Sequence, residues 1–266
     1  MPAAQNWLLL LTYDGTCYHG WQVQPNSPTI EEALEQAVKR LTGECVKVHG
    51  AGRTDSGVHA LNFTANFKSS AENFKTTGKW RIALNAVLPT DIVIKSVQKV
   101  SPGFHARHSA SGKRYRYLIY NRPFQAVFSR DQSWWINQAL DLKRMDEAAQ
   151  ILIGEHDFSA FRAASCSSPN PFKTIHEILI TKTDFRYATL QIEIEANSFL
   201  QHMVRIIIGT LVEVGQGRKS VDDVSEALES GQRKLAGITA PAHGLYALNV
   251  IYPQGMIQWP LEVIDN

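Results

Sequence analysis

The residues with the greatest chemical potential run from His49 to Ala60: His49-Gly50-Ala51-Gly52-Arg53-Thr54-Asp55-Ser56-Gly57-Val58-His59-Ala60. Three glycines let the backbone turn tightly and approach a ligand closely. Among them stand one carboxylate, one guanidinium and two imidazoles. A phosphate-binding Walker loop is excluded, because no Lys-Ser or Lys-Thr pair closes the glycines. A metal site built from His49, Asp55 and His59 is disfavoured, since their spacing matches no helical or hairpin ligand pattern. A glycosidase needs a second acid across the scissile bond, and the nearest acids, Glu44 and Glu72, lie in no obvious site loop. Two readings stay open. Asp55 either caps a bend as an Asx turn, or is a lone reactive carboxylate with Arg53 two residues away in a glycine-lined pocket.

A second chemical signal is charge. The 266 residues carry 27 Lys and Arg against 25 Asp and Glu, a net of +2. Yet eight of those bases (Lys95, Lys99, Arg107, Lys113, Arg114, Arg116, Arg122 and Arg130) fall between Ile92 and Arg130, where no acid occurs. Phe104, Tyr115, Tyr117 and Tyr120 interleave with them. Bases that neutralise phosphates beside aromatics that stack on nucleobases are what an RNA site requires. The plainer alternative is a solvated strand face with core aromatics.

Composition bounds the rest. With 44% hydrophobic and 20% charged residues the chain is an ordinary globular one, too apolar to be disordered. No stretch of about 18 apolar residues suggests a membrane span. Cys17, Cys45 and Cys166 are odd in number and form no CxxC, so neither a disulfide framework nor a zinc site is expected, and a reducing compartment fits. The apolar run Trp7 to Tyr13 lacks the basic flank of a secretory signal. It reads as a first strand, and the protein as cytoplasmic.

These residues need elements to hold them. Thr29 and Glu32 form a capping box for a helix over 30–42, with an apolar stripe through Leu34 and Val38 and a stop at Gly43. Further helices are expected over 79–87, over 142–153 with Asp141 as cap, and over 221–229 with Ser220 as cap. The segment 199–214 is apolar on nearly all faces, the mark of a buried helix, yet Arg205 stands in its middle. Strands are expected over 7–13, 46–49, 62–68, 92–100, 113–120, 175–183, 189–196 and 246–252. Several follow one another without a helix between them. That favours an α+β fold with a largely antiparallel sheet. The order strand, loop, helix recurs in each half, which suggests two similar half-domains sharing a sheet flanked by helices. The halves are expected to span 1–121 and 122–266, with the active-site cleft between them.

The run Gly52-Arg53-Thr54-Asp55-Ser56-Gly57-Val58-His59-Ala60 resembles the catalytic motif of the TruA-type tRNA pseudouridine synthases, which usually have Ala where Ser56 stands. Further matches follow in chain order. They are Tyr13-Asp14-Gly15-Thr16-Cys17-Tyr18-His19-Gly20-Trp21-Gln22, Phe104-His105-Ala106-Arg107, Lys113-Arg114-Tyr115-Arg116-Tyr117, Gly154-Glu155-His156-Asp157-Phe158 and His202-Met203-Val204-Arg205. The resemblance thus extends from residue 13 to about residue 252.

The resemblance implies an isomerase that converts uridine to pseudouridine at positions 38, 39 and 40 of the tRNA anticodon stem-loop, as a homodimer and without a cofactor. It implies that Asp55 is the catalytic aspartate. A carboxylate can begin this reaction at C1′, at C6 or by assisting deprotonation at C2′, and the sequence does not choose among them. Arg205 falls on the basic residue that pairs with the aspartate, which would explain a cation in an apolar helix. Tyr115 falls on the tyrosine that stacks on the target base. Arg53 falls on a residue that helps flip the uridine out of the stack. Phe104, His105, Ala106, Arg107 and His108 fall on a tRNA-contacting segment. One departure stands out: after Cys166 the family often has a base, whereas Ser167-Ser168-Pro169-Asn170-Pro171 has none before Lys173. Two rival functions remain, a structured-RNA-binding protein without chemistry and a nucleoside glycosidase using Asp55.

Overall fold

The computed structural model describes residues 4–74 and 76–259. The chain is α+β, as its sequence leads one to expect. It forms two compact units, Met1–Ser111 together with Ala247–Asn266, and Gly112–Tyr246.

The first unit runs β1 (Gln5–Tyr13), α1 (Ile30–Thr42), β2 (His49–Gly50), β3 (His59–Ser69), α2 (Thr77–Val87) and β4 (Ile92–Val100). Strand β1 is central, antiparallel to both β3 and β4. Its leucines Leu8 to Leu11 are all buried, so it reads as a continuous apolar run rather than an alternating one. Helix α1 has the bounds its signals predict. Thr29 Oγ1 accepts from the Glu32 amide, and Gly43, at φ 79°, closes it through an N–H bond to the Lys39 carbonyl. Helix α2 is tied to the sheet by the fully buried Trp80, whose ring meets Trp7 at 5.9 Å and Phe67 at 5.1 Å. Strand β2 is shorter than its sequence suggests. Only His49 and Gly50 pair, with Asn66 and Ala65 of β3.

The second unit runs β5 (Gly112–Asn121), β6 (Trp134–Ile136), α3 (Leu142–Ile151), β7 (Gly154–Asp157), β8 (Phe172–Lys182), β9 (Leu190–Ala196), α4 (Met203–Gly215) and α5 (Asp222–Ser230). The chain then returns to the first unit through β10 (Leu245–Ile251), which lies beside β3. Within the second unit the sheet order is β5-β9-β8-β7, all antiparallel, with β6 added in parallel to β5. Ile192 and Ile194 of β9 are buried, while Glu193 and Glu195 alternate with them. The short strands β6 and β7 carry no clean alternation and are not evident from sequence. Among the described residues no helix is long and apolar enough to cross a membrane.

Helix α4 corrects one expected boundary. It begins at Met203, not Phe199, because His202 adopts a left-handed conformation at φ 62°, which no helix continues through. From Met203 on it is buried nearly all round, as its composition requires. Segment 236–240 packs against it at backbone distance. A Cβ at Gly209 would lie 1.9 Å from the Ile238 carbonyl oxygen, and Gly237 donates its N–H to Thr210 Oγ1 at 2.8 Å.

Candidate active site

The loop between β2 and β3 carries Asp55, and the segment after β1 holds that loop. Trp21 donates its amide to the Thr54 carbonyl at 3.1 Å, and Gly57 donates to the Tyr18 carbonyl at 3.3 Å. Tyr13 and Thr54 share a hydroxyl–hydroxyl bond of 3.0 Å. Ser56 Oγ donates to the Tyr18 carbonyl at 3.2 Å, so this serine adds a tether. Two glycines allow the close approach. A Cβ on Gly15 would sit 2.0 Å from the Val58 carbonyl oxygen, and one on Gly20 would sit 2.3 Å from that of Thr54. The two motifs, Tyr13–Gln22 and Gly52–Ala60, are therefore one structural object, a loop and its cradle.

Side chains of the loop alternate between anchors and reach. Ala51, Thr54 and Val58 are buried, Arg53 and Ser56 are exposed, and Asp55 is half-buried. The carboxylate of Asp55 thus leaves a loop whose neighbours are pinned on both sides. The Val58 amide bonds the Asp55 carbonyl at 3.2 Å, with Gly57 at φ 78° supplying the turn. The Asx-turn reading has a local counterpart elsewhere: Asp14 Oδ1 accepts from the Thr16 amide at 2.9 Å.

The two histidines of the motif diverge. His59 is buried, with Nδ1 3.1 Å from Asp14 Oδ1 and 3.1 Å from the Gly15 amide. One ring nitrogen cannot donate to the first and accept from the second. The carboxylate is the stronger acceptor, so we take Nδ1–H as directed to Asp14. The bond to His59 holds the Asp14 carboxyl well below its ordinary value of 3.8, against the effect of burial, with Thr16 adding two further donors. His49 instead turns to His105, ring to ring at 4.8 Å. His49 and His59 therefore point to two different neighbourhoods.

In the second unit, β5 presents Tyr115 and Tyr117 opposite Ile194 and Ile192 of β9. Tyr117 is the structural one. It is fully buried, its hydroxyl donates to the Pro241 carbonyl at 2.8 Å, and burial pushes its pKa well up. Tyr115 is half-buried, edge-on to Phe199 at 5.1 Å. Arg205 on α4 is also half-buried, and its Nε donates to the Ala240 carbonyl at 2.8 Å.

The segment after β4 divides in the same way. Phe104 and Ala106 are buried. Asn6 Nδ2 donates to the Phe104 carbonyl at 2.9 Å, and Asn66 Oδ1 accepts from the Ala106 amide at 2.8 Å. These contacts make a rigid base from which Arg107 and His108 stand exposed and His105 half-exposed.

A family model described as tRNA pseudouridine synthase matches residues 10–109 and 148–253. The chain belongs to the tRNA pseudouridine synthase family. Proteins named tRNA pseudouridine synthase A are similar over nearly their whole length. That of Thermoanaerobacter sp. is 48% identical over 93% of this chain and 100% of its own. That of Acetivibrio thermocellus is 46% identical over 93% and 100%, and that of Hydrogenovibrio crunogenus 40% identical over 96% and 95%. A tRNA pseudouridine synthase is an isomerase.

For this tRNA pseudouridine synthase the basic segment proves less basic than its sequence suggests. Arg114 bonds Glu177 at 2.7 Å, Glu195 at 2.8 Å and Glu193 at 3.3 Å, and Arg116 bonds Glu193 at 2.7 Å. Arg130 pairs with Asp131 at 3.1 Å, and Lys99 lies over the Trp7 ring at 5.3 Å. The acids that neutralise Arg114 and Arg116 come from β8 and β9, more than 60 residues away in sequence, so no local count could reveal them. Past the loop that follows Cys166, Lys173 at the start of β8 is buried and its Nζ donates to the Asn170 and Phe172 carbonyls at 2.9 and 3.0 Å. That base faces inward too.

Proposed function

We propose that this tRNA pseudouridine synthase acts on uridines 38, 39 and 40 of the anticodon stem-loop, with Asp55 as its catalytic carboxylate. The N1–C1′ bond breaks, the uracil turns, C5 joins C1′, the C5 hydrogen leaves as a proton, and N1 takes up a proton. Tyr115 stacks on the target base, Arg205 is the cation of the catalytic set, and Arg53 fills the space left by the flipped nucleotide. The single observation that carries the assignment of Asp55 is its setting. It is the one acid of a loop pinned by Trp21, Tyr13 and Tyr18, half-exposed at the point where the backbone is held on both sides. Catalysis by a positioned group depends on such fixing.

The protein acts in the cytoplasm as a homodimer. Support for the dimer comes from an apolar patch on the second unit, where Phe124 and Phe128 are 81% and 87% exposed and Val127 and Tyr187 accompany them. Exposed patches of this kind mark interaction surfaces.

The deciding assay uses tRNA labelled with tritium at uridine C5. Wild-type protein is expected to release the label while the RNA stays intact and the base stays attached. Asp55→Asn is expected to bind tRNA and release nothing. Equal release from Asp55→Asn would overturn the role of the carboxylate. Free uracil as product would make the protein a glycosidase, and binding without release by wild type would make it an RNA-binding protein. Arg205→Met is expected to lose turnover while retaining tRNA affinity; unchanged turnover would remove Arg205 from the mechanism.

A further inference from the structure

We infer that His49, His105, His108 and Arg107 form a clasp for a phosphodiester of the RNA substrate, and that the clasp takes up a proton as the phosphate docks. The inference rests on the RNA-isomerase reading and adds two things to it: a contact residue from β2, and a proton linkage.

The geometry is a stack of three imidazoles from two separate stretches of chain. His49, in the two-residue strand β2, meets His105 with ring centroids 4.8 Å apart and planes 33° apart. His105 meets His108 at 4.3 Å. Arg107 lies between the latter two in sequence and is exposed, as are His49 and His108. The platform is stiff, because the Phe104, Ala106, Asn6 and Asn66 contacts fix the loop backbone and the pairing with Asn66 fixes His49. Three rings at van der Waals distance and an adjacent guanidinium offer donors to one small anion without large movement.

The groups facing the stack are nearly all of one sign. Those that bear on His105 are His108, His49 and Arg107. Burial first, then these three, push its pKa below the ordinary 6.5, and its Nδ1 accepts from the Arg107 amide at 3.1 Å. His49 also lines a cavity of about 500 Å³ with Lys47, Lys68 and Glu44. Lys47 is paired with Glu31 and Glu35 at 3.0 and 3.1 Å. Burial opposes the charge on Glu44, but donors from Ser69 and Ser70 outweigh it and hold its carboxyl below the ordinary range. Glu44 is thus engaged by its own neighbours. His105 resists charging because burial, its two imidazole neighbours and Arg107 all oppose a proton there. A phosphate reverses the balance: it supplies the negative charge that the stack lacks, and a protonated ring returns a charge-assisted donor. The sign follows directly. Binding raises the affinity of the cluster for protons, so tRNA binds more tightly at lower pH.

The test measures the equilibrium Kd for tRNA at fixed ionic strength from about pH 5.5 to 8, where histidine is the side chain that ordinarily titrates. Uptake of one proton makes Kd rise about tenfold per pH unit across the window between the free and bound titrations. Wild type is expected to show that slope, and His49→Gln/His108→Gln, both at exposed positions, to flatten it. Arg107→Gln is expected to weaken binding at every pH while the slope persists. Ring-proton NMR with inorganic phosphate should show the three histidines moving together. A flat wild-type profile, or an unchanged slope in the double variant, would overturn the inference. Tritium release by wild type at saturating tRNA reads the isomerase assignment separately, so failure of one is distinguishable from failure of the other.

Discussion

Gly20→Ala tests how the Asp55 loop is held. Gly20 sits at φ 84°, and a Cβ there would lie 2.3 Å from the Thr54 carbonyl oxygen and 3.1 Å from the Asp55 carbonyl carbon. Carbon contacts are comfortable at about 3.5 Å, so the Thr54 carbonyl must retreat by about 1 Å. It cannot do so freely, because the same oxygen accepts from the Trp21 amide at 3.1 Å. A left-handed residue with a side chain also costs about 1–2 kcal/mol. A displacement of about 1 Å in a catalytic group lowers the rate on the order of a hundredfold. Gly43→Ala is the matched control. Gly43 sits at φ 79° at the end of α1, and nothing lies within 4 Å of a Cβ built there. Both variants share the backbone penalty, and the close approach belongs to Gly20. Thermal denaturation should therefore lower Tm in both, by about 2–4 °C per kcal/mol for a chain of this size. Single-turnover tritium release should fall about a hundredfold in Gly20→Ala alone. If the two variants turn over alike, the cradle does not position Asp55 and the reasoning fails.

Three further perturbations probe the frame. Arg114→Met leaves Glu177, Glu193 and Glu195 facing one another; it should lower stability by about 2 kcal/mol at low salt, with a smaller loss at high salt, and a loss independent of salt would argue against the ion pairs. Gly209→Ala drives a Cβ to 1.9 Å from the Ile238 carbonyl oxygen; overpacking of this kind costs about 1–3 kcal/mol, and an unchanged urea midpoint would contradict the close packing of α4. Asp14 has its carboxyl held low by His59 and Thr16; its contribution is present above the ordinary value of 3.8 and lost as pH falls below it. The denaturation midpoint of wild type should accordingly drop more steeply in acid than that of Asp14→Asn, and parallel curves would exclude the linkage.

Much of the site is legible in the sequence because its causes are local. Gly52 to Ala60 shows a loop with one acid, and Thr29, Glu32 and Gly43 bound α1 to the residue. The identity of the buried tyrosine is not local. Tyr115 and Tyr117 share a strand face, and the sequence leaves both eligible. Only packing against Pro241 and Gly244 makes Tyr117 core. The start of α4 was hidden for a similar reason: no residue type announces the left-handed turn at His202.

The net charge illustrates the boundary most clearly. The sequence by itself determined that Ile92 to Arg130 holds bases and no acids, because that is a property of a linear stretch. The tertiary structure decided which of those bases remain available. Antiparallel pairing sets Arg114 and Arg116 opposite Glu195 and Glu193, since register across a ladder joins residues that sequence keeps far apart. Arg107 stays exposed beside His105 and His108, and His49 joins them only because β2 pairs with β3 beside the loop that Asn66 anchors.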